Sequence, residues 1–176
     1  MAANLKIKKT LFSTEQIQKR VAEVARQISA DYAGKEMLVV CVLENGFMFM
    51  ADLVRQIEVP VECQFVRPFT RDTVQGSTAT TEIFFTPEID AHGKHVLIVE
   101  ALVQSGVTSD FLIRNFATRG AASVKLAALL DKQSARRVQL HPDYFGFLMD
   151  ETYVVGYGMG APDLGRNLSN ISVLDK

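Results

Sequence analysis

Apolar residues recur along this chain with two periods, and the alternation between them lays out its elements. Ser13-Thr14-Glu15-Gln16 has the S-x-x-Q form of a capping box. Behind it Ile17, Val21, Val24, Ala25 and Ile28 fall on one helical face, and Gly34 supplies the stop. Residues 37–43, MLVVCVL, form a continuous apolar run of strand length. The spacing then predicts a helix over 47–57 with Met50, Ala51, Val54 and Ile57 inward, followed by a strand over 61–66. A polar stretch, 67–80, reads as a functional or disordered loop. A strand over 81–85 and a turn over 87–93 come next.

The second half repeats the alternation. HVLIVE (95–100) is a strand, 101–106 a loop, and Val107 opens a helix whose face is Phe111, Leu112, Phe116 and Ala117, ending at Gly120. Strands are predicted over 123–130, 144–147 and 153–157. Strands alternating with helices indicate an α/β fold with a mainly parallel central sheet flanked by helices. No repeat or linker interrupts it, so residues 1–176 read as a single domain.

The segment 94–109, KHVLIVEALVQSGVTS, organises the rest. A buried strand running through small residues into a helix N-terminus leaves backbone N–H groups pointing at the loop, where the helix dipole favours an anion. Ser105, Gly106, Thr108 and Ser109 add hydroxyls and room for a phosphate. An ordinary βα turn with capping hydroxyls has the same pattern, so spacing alone leaves both readings open.

Composition narrows the classes. The chain has 176 residues, 48% hydrophobic and 22% charged, with a formal net charge of −1. That balance gives no electrostatic case for nucleic acid or an anionic membrane. No run approaches the ~18 apolar residues of a membrane span, and MAANLKIKK lacks the apolar core of a signal peptide. Cys41 and Cys63 both sit in strand-like runs and read as small core residues, in keeping with a cytoplasmic setting. His92, His95 and His141 lack partners at ligand spacing, and the basic pair Arg136-Arg137 reads as solvated surface.

Residues 96–108, VLIVEALVQSGVT, resemble the phosphoribosyl-diphosphate (PRPP) motif of type I phosphoribosyltransferases, V-L-I-V-E-D-x-x-D-[ST]-G-x-T. GFMFMADL (46–53), LLDK (129–132) and YVVGYG (153–158) resemble the hypoxanthine branch, and the likeness runs from about Leu11 to Leu168. It implies the type I phosphoribosyltransferase fold with a small hood and a flexible loop. It implies purine salvage chemistry: transfer of phosphoribose from PRPP to a 6-oxopurine, with Mg²⁺, in a homodimer or homotetramer. On this resemblance Ser105, Gly106, Val107 and Thr108 hold the 5′-phosphate, with Ser109 at the edge. Lys132 meets the exocyclic oxygen of the purine, Tyr153 stacks on the base, and Val154 gives a backbone contact. Arg166 matches a pyrophosphate-contacting arginine.

The ribose and pyrophosphate region departs from the pattern. Glu100 is kept, but Ala101 replaces the second acid of the pair and Gln104 the catalytic Asp. Glu44-Asn45 stands where a basic residue and glycine are usual, Gly160 replaces a metal-binding Asp, and Thr70-Arg71 replaces the Ser-Tyr pair of the flexible loop. An amide cannot act as a base near neutral pH, and Mg²⁺ prefers carboxylate and phosphate oxygens. The expectation is a hypoxanthine phosphoribosyltransferase-like protein that binds a purine nucleoside 5′-monophosphate, with Mg²⁺ binding weak or absent and catalysis impaired, a pseudoenzyme in the limit. The alternative is an active transferase making IMP or GMP.

Overall fold

The capping box forms as its spacing predicts. Gln16 N donates to Ser13 Oγ at 3.3 Å, and Ser13 N donates to Gln16 Oε1 at 2.8 Å. The computed structural model describes residues 6–68, 89–151, 153–160 and 164–175. In chain order its elements are β1 (Ile7–Phe12), α1 (Thr14–Asp31), β2 (Met37–Val42), α2 (Phe47–Val54), β3 (Val61–Val66), β4 (His95–Val103), α3 (Val107–Thr118), β5 (Ser123–Asp131), β6 (Tyr144–Leu148), β7 (Val154–Val155) and β8 (Ile171–Leu174). The predicted strand at 81–85 and the Thr70-Arg71 position lie outside the described residues.

Strands β3-β2-β4-β5-β6 pair in that order, all in parallel. Helices on both faces explain why β2 and β4 are apolar at nearly every position rather than alternating. Val39, Cys41, Leu97 and Val99 pack with α1 and α2 on one face. Leu38, Val40, Val96 and Ile98 pack with Leu112 and Phe116 of α3 on the other.

A three-stranded antiparallel sheet, β1-β8-β7, forms the hood. Phe12 of β1 stacks on Phe147 of β6 with ring centroids 4.1 Å apart, tying the hood to the edge of the main sheet. The pattern had not predicted β1 or β8. IKKTLF carries two lysines and is largely exposed, so it lacks the apolar run of a core strand.

Other expectations are corrected. Helix α2 is shorter than 47–57, and its buried face is Phe49, Met50 and Leu53, with Ala51 exposed. FMFM is apolar all round, so its periodicity does not select a face. In α3 the buried face is Ser109, Leu112 and Phe116, and Phe111 is exposed. The run at 153–157 gives only a two-residue strand, because the chain turns at Gly156 and Tyr157, which have φ of 106° and 48°. Cys41 is a core residue, whereas Cys63 is exposed on edge strand β3.

A candidate nucleotide-binding site at the strand switch point

From β2 the chain crosses through α2 to the edge strand β3, whereas from β4 it crosses through α3 to β5 on the other side. The carboxyl ends of β2 and β4 therefore border the crevice where open α/β sheets bind ligands. A cavity of about 240 Å³ lies there, lined by Asn45, Glu100, Leu102, Val103, Gln104, Ser105, Gly106, Thr108 and Ser109. A second depression, of about 270 Å³ around Pro60, Glu62 and Lys94, opens at the amino ends of the strands and brings no comparable loop with it.

The loop at one end of the cavity is shaped for an anion. Gly106 has φ of 77° and, as the N-cap of α3, has no side chain to cap the helix. Ser105 Oγ accepts from Val107 N at 3.4 Å. A Cβ at Gly106 would lie 3.0 Å from Val138 and 3.1 Å from Arg136, so the position demands glycine for both conformation and space. Thr108 and Ser105 face the cavity, while Val107 projects outward and is exposed.

Glu100 is the one carboxylate among the residues lining the cavity. It points to the α3 side, where the buried Ser109 donates its hydroxyl to Glu100 Oε1 at 2.7 Å. Ser109 thus grips the carboxyl rather than extending the phosphate loop. Burial pushes the Glu100 carboxyl up to about 7, against the opposing pull of the Ser109 hydrogen bond and the Arg136 charge. Gln104 is exposed on the cavity wall. Ala101 lies one residue from Glu100 but on the opposite face, packed in the α1–α2 core. Mg²⁺ would therefore meet, on the cavity wall, a single carboxyl with one oxygen already held. Among the described residues no group of three or more His, Cys, Asp or Glu could hold a metal ion. Mg²⁺ is commonly held by one or two carboxylates together with substrate phosphates, and this wall supplies one.

Arg136 is not a surface residue. Its side chain is 12% exposed and pairs with Asp131, itself 1% exposed, beneath the phosphate loop. Arg137 is exposed, and its backbone N–H donates to Ser105 O at 2.9 Å, pinning the loop from behind. A buried Asp at the end of an apolar strand, five residues before an arginine, was the available signal for this pair.

The expected purine-binding residues Lys132, Tyr153 and Val154 are not among the residues lining the cavity. Lys132 follows Asp131, with its N–H on Val103 O at 3.0 Å, and its Nζ donates to Glu151 O at 3.1 Å. Tyr153 is exposed, and Val154 begins β7 against the α1–α2 core. At the other end, Arg166 donates to Asn45 Oδ1 at 2.6 Å and Gly158 O at 2.8 Å. Gly158 has φ of 93°, and a Cβ there would stand 2.7 Å from Asn45 O, so the YVVGYG turn presses directly on the β2–α2 loop. Glu44 meets Arg67 and Arg166. Both of its carboxylate oxygens are thus paired.

Residues 9–162 match the family model described as a phosphoribosyl transferase domain. The chain is 36% identical over 175 residues to the hypoxanthine-guanine phosphoribosyltransferase of Mycobacterium tuberculosis, spanning 96% of this chain and 87% of that one. The structure of a hypoxanthine-guanine phosphoribosyltransferase from Bacillus anthracis superposes with a TM-score of 0.89 at 35% identity, covering 98% of this chain and 100% of that one. A hypoxanthine phosphoribosyl transferase from Trypanosoma cruzi, studied for the role of its C-terminal region in oligomeric state and enzymatic activity, gives 0.88 at 32% identity, covering 99% and 95%.

Proposed function

Because this chain belongs to the phosphoribosyltransferase family, in its hypoxanthine-guanine branch, we propose that it binds a purine nucleoside 5′-monophosphate and has lost most of the family's turnover. The observation that carries this reading is the contrast between the two ends of one cavity. The phosphate end keeps its hydroxyls and a helix N-terminus whose N-cap is glycine. The wall where a base and metal ligands are needed offers Gln104, Asn45 and one buried carboxyl.

Each part has a physical role. Backbone N–H groups at the start of α3, with Ser105 and Thr108, take the 5′-phosphate. Lys132 donates to the exocyclic oxygen of a 6-oxopurine and Tyr153 covers the base, which favours IMP or GMP over AMP. Gln104 can hydrogen-bond a purine nitrogen but cannot remove its proton. Mg²⁺ binding is weak for want of carboxylates. No helix among the described residues is long and apolar enough to cross a membrane. A cytoplasmic homodimer or homotetramer suits this reading.

The second reading is an active transferase making IMP or GMP from PRPP, favoured by the activity in the names of the relatives. Steady-state formation of IMP from PRPP and hypoxanthine with Mg²⁺ separates the two. Loss of general acid–base catalysis alone accounts for about 10²–10⁴-fold, and turnover at least about 10³-fold below the ~10 s⁻¹ of a typical enzyme is expected. A rate within tenfold of that value contradicts the proposal.

A further inference from the structure

Beyond Asn45, three loops bring two guanidinium groups onto one carboxylate. Glu44, in the turn after β2, is 42% exposed; Arg67, just past β3, meets its Oε1. Arg166, which follows β7, meets Oε2 at 3.4 Å and is anchored by Asn45 Oδ1 and Gly158 O. Asn45 also lines the cavity, so the cluster stands one residue from the space in front of the phosphate loop.

Planar guanidinium groups receive a carboxylate and a phosphate with the same geometry. Two of them converging from separate loops on a single anion make a phosphate-binding patch, here satisfied from within. Exposed ion pairs of this kind add little to stability, so the arrangement matters more for what it admits than for what it holds together.

We propose that Glu44 is a specificity-determining residue: its carboxylate occupies an arginine-paired anion site at the cavity edge and excludes ligands that would place a diphosphate there. This deepens the monophosphate reading and rests on it. A 5′-monophosphate is met by the N-terminus of α3 and leaves the arginine pair alone. A diphosphate must displace Glu44 from Arg67 and Arg166, and the displaced carboxylate then remains beside it as a like charge. Exclusion arises by competition for the arginines rather than by an unpaired negative charge.

The test titrates inorganic pyrophosphate, PRPP and IMP into the wild-type chain and into Glu44→Gln, with thermal melts confirming that the exposed substitution leaves the fold intact. Glu44→Gln is expected to bind pyrophosphate and PRPP at least tenfold more tightly, about 1.4 kcal/mol, with IMP affinity within about twofold. Adding Arg67→Gln should remove a large part of the gain. Unchanged pyrophosphate affinity in Glu44→Gln overturns the proposal, as does a gain that survives without Arg67. Failure of IMP to bind either form would overturn the monophosphate reading instead, while the pyrophosphate comparison still decides the role of Glu44.

Discussion

Ser109 donates its hydroxyl to Glu100 Oε1 at 2.7 Å, from the buried face of a helix whose other inward residues there are Leu112 and Phe116. The pair places a proton-holding group in the wall of the cavity. Because burial raises the Glu100 carboxyl to about 7 from the usual 4.5, the folded state binds a proton that the unfolded chain has released. Its contribution to stability is therefore full below pH ~4.5 and is lost as pH rises through ~7, by on the order of 3 kcal/mol at most. Urea denaturation should show the wild type losing stability between about pH 4.5 and 7, and little more above that, relative to Glu100→Gln. Ser109→Ala, which removes a bond favouring the ionised form, should shift the loss to lower stability at high pH. Parallel wild-type and Glu100→Gln profiles would contradict this account.

Gly106 offers a direct test of the phosphate loop. At φ of 77°, with Val138 and Arg136 at 3.0–3.1 Å from a built Cβ, alanine is both strained and crowded. The left-handed conformation alone costs a residue with a Cβ about 1–2 kcal/mol. Gly106→Ala should lower the denaturation midpoint accordingly and weaken ribose 5-phosphate binding at least tenfold by calorimetry. Retention of both properties would mean that the loop does not hold phosphate in this way.

Arg136 and Asp131 form a buried pair under that loop. Removing one partner of such a pair typically costs about 3–5 kcal/mol, because the other charge is left buried and alone. Arg136→Met should fall in that range by urea denaturation, and the double variant with Asp131→Asn should recover a large share of the loss. Additive losses in the double variant would show that the two charges are not coupled.

Local chemistry was readable from the sequence wherever it had a local cause. The capping box at Ser13 is a four-residue pattern, β2 is a continuous apolar run and β3 a short β-branched and polar segment after Pro60, so their limits fall within a residue of expectation. The loop joining β4 to α3 was readable because strand, glycine and helix start are contiguous. What escaped depends on distant residues. Ser109 in a first helical turn reads as a capping hydroxyl until β4 places Glu100 beside it. Arg136 reads as surface because it stands in a basic pair with Arg137, until β5 places Asp131 beside it. The pairing of Glu44 depends on arginines 23 and 122 positions away. The hood strand β1 was missed because two lysines mask its pairing with β8.

The central claim is that this cavity is built for a monophosphate rather than for PRPP. The most direct measurement is calorimetric titration of IMP, GMP, AMP and PRPP into one preparation with Mg²⁺, with Thr108→Val and Lys132→Ala as controls. IMP or GMP should bind at least tenfold more tightly than PRPP, a difference of about 1.4 kcal/mol, with AMP weaker and both variants losing affinity for IMP. PRPP binding more tightly than every monophosphate would contradict the account and return this chain to the working transferases.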